Sequence, residues 1–164
     1  REMCQVAACF GREVLGDVDP DQFRRSLSTV RATCGDRAAL RAIHFFQDDR
    51  RVELERRALE AGDMDAFLHH VRQSGRSSFM YLQNVSNYRE SRSQPIALLL
   101  AVAEDLLAGR GACRVHGGGF AGTIQAFVPT DALESFVAGM ETVTGQGACH
   151  VLNFRPVGTT VLVP

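Results

Sequence analysis

A change in hydrophobic periodicity at Gly111 constrains the fold of this 164-residue chain more than any other feature. Before Gly111, apolar residues recur at the three- and four-residue spacing of amphipathic helices. After it, they alternate with polar residues, as in half-buried strands. Helices that precede the strands, instead of alternating with them, favour an α+β fold. We therefore predict a single domain in which helices back an antiparallel sheet.

Capping residues and glycines divide the first part of the chain into five predicted helices. These are residues 2–12, a helix from Pro20 to the turn at Gly35, a long helix from there to about Ala61, residues 64–74, and a helix from Ile96 to Gly109. Phe45, Val52 and Leu59 repeat every seven residues, so we expect them to form one apolar side of the long helix. Residues 75–93 are rich in Ser, Asn, Arg and Gly and predict an irregular, partly ordered connection.

The second part of the chain predicts the order β-β-α-β-β. The predicted strands are residues 112–116, 121–128, 148–155 and 159–163, with a helix that starts at Pro129 between the second and the third. In the second strand, Ile124, Ala126 and Val128 should share one face, because side chains of a strand alternate. We expect these strands to form a four-stranded antiparallel sheet.

The composition argues against several classes of function. The formal net charge is −1, which gives no reason to expect a nucleic-acid partner. All 18 basic residues are arginine, so these residues contain neither a GxxxxGK[ST] phosphate loop nor a lysine nucleophile. No apolar run approaches the ~20 residues of a membrane helix, and we expect no membrane partner.

The cysteines and the first residue bear on the cellular compartment. The five cysteines are Cys4, Cys9, Cys34, Cys113 and Cys149. Their odd number and scattered positions argue against a disulfide scaffold and a zinc site, and we interpret them as buried thiols in a reducing cytoplasm. The chain begins at Arg1, directly in a helical pattern and without a signal peptide, which suggests part of a longer protein.

The glycine run between the first two predicted strands is the strongest local motif. Gly117, Gly118 and Gly119 stand between His116 and Phe120. Consecutive glycines permit positive φ angles and close approach, and their N–H groups can form a cavity for an anion such as phosphate. A tight hairpin with close packing explains the same residues. His116 is the histidine that we expect nearest to a site.

Four polar side chains on the long helix form a second candidate group. Arg41, His44, Asp48 and Arg51 are separated by three or four residues and therefore lie near one another on the helix surface. A histidine beside a carboxylate can be a proton shuttle. Such groups are more often structural, and we favour a structural network that ties two helices together.

The sequence gives weaker indications of a functional role for the other histidines. His69 and His70 are adjacent on a helix, so one should face solvent while the other packs. Neither has an acidic or cysteine partner at ligand spacing within that helix, and we predict no metal site. His150 alternates with Leu152 and Phe154, which predicts a core or edge position in a strand.

Taken together, these motifs resemble the galactokinases, which are members of the GHMP kinase superfamily. Residues 114–129 resemble the third, glycine-rich motif of that family. Residues 41–52 resemble its R-x-x-H-x-x-x-E-x-x-R-V helix, and residues 59–63 with Ser74 resemble its A-L-x-x-G-D segment and the serine after it. Residues 1–8 resemble the R-x-x-C-x-x-A-A helix that opens the C-terminal half. The matches keep their order along nearly the whole chain.

The chain departs from the family pattern at several positions. Asp48 replaces the usual glutamate, and His116 stands where a threonine usually precedes the glycines. Residues 74–78 read Ser-Gly-Arg-Ser-Ser where the family usually has Ser-His-x-Ser-Leu. These departures leave the sugar specificity open.

The resemblance implies that residues 1–164 are the ferredoxin-like C-terminal domain of a two-domain kinase. Such an enzyme uses ATP and Mg²⁺ to phosphorylate the anomeric hydroxyl of galactose. The main phosphate loop, the catalytic aspartate and most sugar contacts lie in the N-terminal domain, which is therefore the implied partner. In this chain, Gly117–Phe120 should lie near the active site, with His116 and Ser74 as cleft neighbours. No catalytic residue is expected here, and the chain alone should be inactive.

Three alternatives remain from the sequence. The longer protein can be another GHMP kinase, such as a homoserine or mevalonate kinase. It can also be a non-catalytic relative that senses sugar, because the residues lost in such a protein lie outside this chain. A stand-alone α+β interaction module accounts for the fold but not for the order of the motifs.

Overall fold

The computed structural model describes residues 1–119 and 122–153. Within them, the α-helices are α1 (Glu2–Ala8), α2 (Pro20–Arg25), α3 (Leu27–Cys34), α4 (Asp36–Glu60), α5 (Met64–Ser77), α6 (Pro95–Leu107) and α7 (Leu133–Thr144). The strands are β1 (Ala112–Val115) and β2 (Ile124–Phe127). Short 3₁₀ helices lie at Leu15–Asp17 and Thr130–Ala132, and a π-helix at Ser78–Leu82. The α+β class predicted from the sequence is confirmed.

The ends of several helices follow from local chemistry. The carboxylate of Asp19 accepts the N–H of Gln22 at 2.7 Å, and Pro20 fills the first position of α2. The carboxylate of Asp63 accepts the N–H of Ala66 at 2.9 Å and caps α5 in the same way. These bonds satisfy backbone donors that have no partner within the helix.

The first hydrophobic core holds the short helices against the beginning of the long one. Val6 of α1, Val30 of α3 and Ala42 of α4 are all 0% exposed. Phe23 of α2 packs on Phe46 of α4 with ring centroids 5.0 Å apart. The N-terminal half of α4 is therefore the support on which α1, α2 and α3 rest.

The sheet lies between two layers of helices. Strands β1 and β2 pair antiparallel, with Ala112 opposite Phe127 and Val115 opposite Ile124. Phe127 packs edge-on against Phe67 of α5, with ring centroids 5.2 Å apart. The opposite face joins a second core with α6 and α7, which includes Ile124, Ala126 and Val128, as predicted. Because successive side chains point to opposite faces, one strand contacts both helical layers.

The described residues contain a two-stranded sheet, and the predicted four-stranded sheet is not shown among them. Residues 148–153, the described part of the third predicted strand, do not form a strand, and Leu152 is 80% exposed. His150, predicted at a core or edge position, is also exposed. Alternation alone does not make a strand, because a strand also needs a hydrogen-bonded neighbour, and none pairs with residues 148–153 within the part of the chain that the structure describes. The fourth predicted strand, residues 159–163, lies outside the described residues.

The prediction for the apolar side of helix α4 is wrong, and the prediction of an irregular connection at residues 75–93 is confirmed only after Leu82. Val52 and Leu59 are 66% and 52% exposed, so their seven-residue spacing does not mark a buried face. The C-terminal half of α4 packs instead through Ala58 against α5. The connection predicted at residues 75–93 is less irregular than expected, because α5 runs to Ser77 and continues directly into the π-helix.

The cysteines differ from one another in exposure. Cys113 is buried, and burial raises the pKa of its thiol to about 11, with a smaller contribution from Glu104. Cys4 and Cys9 are exposed, contrary to the prediction of buried thiols. Cys4 lies within α1 and Cys9 follows its last residue, whereas the buried side of this helix is formed by Val6 and Ala7. The first helix is also shorter than the predicted residues 2–12.

Candidate functional site

A polar network joins helices α4 and α5 to strand β1, and Asp48 is its centre. The Ser74 hydroxyl donates to Asp48 Oδ1 at 2.6 Å, and an Arg51 nitrogen lies 3.0 Å from the same oxygen. Asp48 Oδ2 lies 3.5 Å from His44 Nε2 and 3.9 Å from an Arg114 nitrogen. Two arginines, a hydroxyl and an imidazole therefore surround one carboxylate that is only partly exposed.

His44 is held between this carboxylate and helix α5. Its Nδ1 atom lies 2.8 Å from the Ser77 hydroxyl, and the residue is 7% exposed. Burial lowers the pKa of His44; Asp48 opposes this effect, while Arg51 and Arg114 add to it. A neutral ring satisfies both neighbours when Nδ1 accepts from Ser77 and Nε2–H points towards Asp48.

Arg41, the remaining residue of the predicted set, does not reach Asp48. It bonds to Glu2 of α1, which also accepts a bond from Arg37 at 2.7 Å. Burial raises the pKa of the Glu2 carboxyl, but the two arginines outweigh it and hold the pKa below its ordinary value. Arg41 thus ties α4 to α1.

Helix α5 lies close to β1 because one of its residues has no side chain. A Cβ atom at Gly75 would stand 3.2 Å from both the Cys113 carbonyl oxygen and Arg114 Cβ. This close approach brings Ser74 and Arg114 to the same carboxylate. Ser74, predicted as a cleft neighbour, is 1% exposed and lies within the network.

The glycine turn follows β1 and differs from the network in being open. Gly117 and Gly118 are exposed, and a Cβ atom built on either would have no neighbour within 4 Å. The φ angle of Gly117 is +65°, in the region that favours glycine. His116, also exposed, donates its backbone N–H to the Thr123 carbonyl at 3.1 Å. Phe120, the last residue of the predicted loop, lies outside the described residues.

Gly119 is the exception within this turn. A Cβ atom there would overlap the carbonyl oxygen of Asn84 and stand 2.9 Å from Asn84 Cβ. Its φ angle is +73°, so glycine is required for conformational reasons as well. The turn is therefore seated on the segment after the π-helix by its third glycine, while the first two remain free.

Asn84 is a residue of this region that the sequence did not single out. It is 4% exposed, and its Oδ1 atom has no hydrogen-bond partner among the residues that the structure describes. Buried polar groups without a partner are uncommon. No pattern in the sequence marks it, because it lies in a stretch of mixed polar residues without a clear period.

A groove opens beside the Asp48 network. It has a volume of about 340 Å³, and its lining includes Arg51, Ser77 and Tyr81.

Elsewhere, His69 is exposed and His70 is partly buried, as predicted. Across residues 1–119 and 122–153, no group of three or more His, Cys, Asp or Glu side chains is arranged to hold a metal ion.

Three curated proteins that are similar to this chain are named galactokinase. Residues of this chain are 31% identical over 135 positions to a galactokinase of Mannheimia succiniciproducens, which covers 82% of the chain. Galactokinases of Glaesserella parasuis and Pasteurella multocida are 30% and 29% identical, over 82% of the chain in each case. The chain is related to the galactokinases. No protein-family model matches it.

The galactokinase relationship covers only part of those proteins. The chain spans about a third of the length of the curated galactokinases that it matches. None of the helices in the described part of the chain is both long enough and apolar enough to cross a membrane. The backbone at Gly117 and Gly118 is exposed, whereas the polar side chains of the Asp48 network bond mainly to one another.

Proposed function

We propose that residues 1–164 form the C-terminal domain of a galactokinase-type sugar kinase of the GHMP class. The similarity to curated galactokinases over 82% of the chain supports this proposal. The chain spans about a third of those relatives, and we propose that an N-terminal kinase domain in the remaining length is its partner. The full protein would act in the cytoplasm and transfer the γ-phosphoryl group of ATP to the anomeric hydroxyl of galactose.

The observation that carries the proposal is the open backbone at Gly117 and Gly118. Phosphoryl transfer depends mainly on positioning and on stabilising negative charge, so a protein needs groups that come close to phosphate oxygens. Two exposed glycines without neighbours allow a phosphate group, or the backbone of another domain, to come within contact distance. We propose that this turn forms one wall of the active-site cleft.

The cofactors follow from the same proposal. The turn leaves open space next to its backbone N–H groups, in which a nucleotide phosphate could bind. A Cβ atom at Gly117 or Gly118 would occupy this space. Bound Mg²⁺ would neutralise the charge on the phosphates. The described residues offer no cluster of carboxylates for the metal, so we assign its ligands, and the main ATP contacts, to the N-terminal domain.

The Asp48 network would act on the turn indirectly. Arg114 lies on β1, and the turn begins three residues beyond it, at Gly117. By fixing β1 against α4 and α5, the network would hold Gly117 and Gly118 at a constant position relative to the rest of the domain. We therefore propose a positioning role for Asp48, His44 and Arg51, with no contact to the substrate.

A coupled assay on the full-length protein tests the proposal. With ATP, Mg²⁺ and galactose we expect turnover that yields galactose 1-phosphate, and the 164-residue chain alone should give none. A panel with homoserine and mevalonate is the matched control. Preference for one of these alcohols would contradict the galactose assignment, and galactose binding without turnover would identify a sensor. Turnover by the isolated chain would contradict the assignment of the catalytic groups.

A further inference from the structure

Two cysteines that are distant in sequence lie in contact near the first core. The sulfur atoms of Cys9 and Cys34 are 3.5 Å apart. Cys9 follows the last residue of α1, and Cys34 is the last residue of α3. Neither residue belongs to the Asp48 network or to the glycine turn.

The core beneath the pair fixes the two helix ends relative to each other. Val6 of α1 and Val30 of α3 are both 0% exposed and lie in the same hydrophobic cluster. Side chains in such cores are closely packed and move little. The contact between the sulfurs is therefore built into the packing of α1 on α3 and does not depend on a flexible loop.

The pair is also accessible to a reagent in solution. Cys9 is exposed and Cys34 is partly exposed. A disulfide has a sulfur–sulfur distance of about 2.0 Å, so the two atoms need to approach by roughly 1.5 Å. Rotation of the Cys9 side chain, which lies at a helix end, can supply much of this movement.

We propose that Cys9 and Cys34 form an intrachain disulfide when the protein meets a low-molecular-weight disulfide such as oxidised glutathione. The Cys9 thiolate attacks one sulfur of glutathione disulfide, which forms a mixed disulfide and releases one glutathione. Cys34 then loses its proton and attacks the Cys9 sulfur, which releases the second glutathione. Two protein thiols are oxidised and one glutathione disulfide is reduced to two thiols.

This inference is independent of the proposed kinase function. It assigns a redox-sensitive modification site to the face where α1 meets α3. Because an intracellular glutathione pool is normally reducing, the disulfide should form under oxidative conditions and be reversed when the pool recovers.

Peptide mapping of the full-length protein tests the proposal. Native protein is treated with oxidised glutathione, its remaining thiols are alkylated, and it is cleaved after arginine. Cys34 then lies in residues 32–37, and both Cys9 and Cys4 lie in residues 2–12. We expect these two peptides to be linked, with the loss of two hydrogen atoms from their combined mass, and to separate on reduction.

Variants identify which sulfur is used. Cys4→Ser removes the other exposed thiol of α1 and should leave the link intact, whereas Cys9→Ser should abolish it. The link should form at least about tenfold faster in native protein than in urea, where the two cysteines are no longer held together. A link that persists in Cys9→Ser, its absence from the native protein, or equal rates in urea would overturn the proposal.

Discussion

The Asp48 network contacts strand β1, the glycine turn follows the same strand, and the two are built in opposite ways. Asp48 is surrounded by Ser74, Arg51, His44 and Arg114, all of which are buried or partly buried. The turn, which begins three residues past Arg114, exposes the backbone of Gly117, and its glycines carry no side chain that needs a hydrogen-bond partner. The difference suggests that the conspicuous charged motif maintains the fold, whereas the bare turn is available for contact with a ligand or another domain.

The largest effect on stability should come from Asp48→Ala. Removing the carboxylate takes the acceptor from the Ser74 hydroxyl and the ion-pair partner from Arg51, which keeps its bond to Gln47, in a partly buried site. We expect the free energy of unfolding to fall by about 2–3 kcal/mol. Urea unfolding of the full-length protein measures this loss, provided that the transition of this domain is resolved.

Asp49→Ala is the matched control for that substitution. Asp49 is the next residue on the same helix and is exposed, so its replacement should change the free energy of unfolding by less than about 0.5 kcal/mol. Equal losses for the two variants would mean that the network does not stabilise the domain more than an ordinary surface carboxylate does.

Within the turn, Gly119→Ala should be the damaging substitution. A Cβ atom at this position meets the Asn84 backbone, and the φ angle of +73° is unfavourable for alanine. We expect a loss of about 1–2 kcal/mol in the free energy of unfolding. Gly118→Ala, whose Cβ atom would have no neighbour within 4 Å, should cost little. The reverse order would show that the turn is seated in another way.

The smallest predicted change in the free energy of unfolding is its dependence on pH. Burial lowers the pKa of His44, so at mildly acidic pH the unfolded chain binds a proton that the folded chain does not. This contribution to stability is complete above the ordinary pKa of 6.5 and is lost as the pH falls below it. Between pH 6.5 and the lowered pKa of folded His44, the free energy of unfolding should drop by at most about 1.4 kcal/mol per pH unit. His44→Gln should flatten the dependence, whereas His150→Gln should keep it. Urea titrations at several pH values measure both.

Sequence patterns predicted the parts of the fold that depend on local chemistry. The helix caps at Asp19 and Asp63 were foreseeable because a short polar side chain before a helix bonds to its first N–H groups. The first two strands followed from their alternation. In contrast, Val52 and Leu59 have the spacing of a buried face yet are exposed, because what covers a helix is decided by tertiary packing.

The sequence predicted several residues of the candidate site but not the contacts that they make with other helices and strands. Spacing along α4 brought His44, Asp48 and Arg51 together, as helical geometry requires. It did not reveal Ser77 or Arg114, which come from other elements. Arg41 has the same spacing but bonds to Glu2, since it lies beside α1. The contact between Gly119 and Asn84 depends on the path of the chain after the π-helix, which no local pattern indicates.

The most direct test of the central claim compares Gly118→Ala with Gly16→Ala in the full-length protein. Both glycines have φ angles outside the positive region and room for a methyl group, so neither substitution should alter stability appreciably. If the turn forms a wall of the cleft, Gly118→Ala should lower kcat/KM for ATP by about tenfold or more, while Gly16→Ala should leave it unchanged. Equal kcat/KM in both variants, with normal unfolding in urea, would contradict the assignment of the turn to the active site.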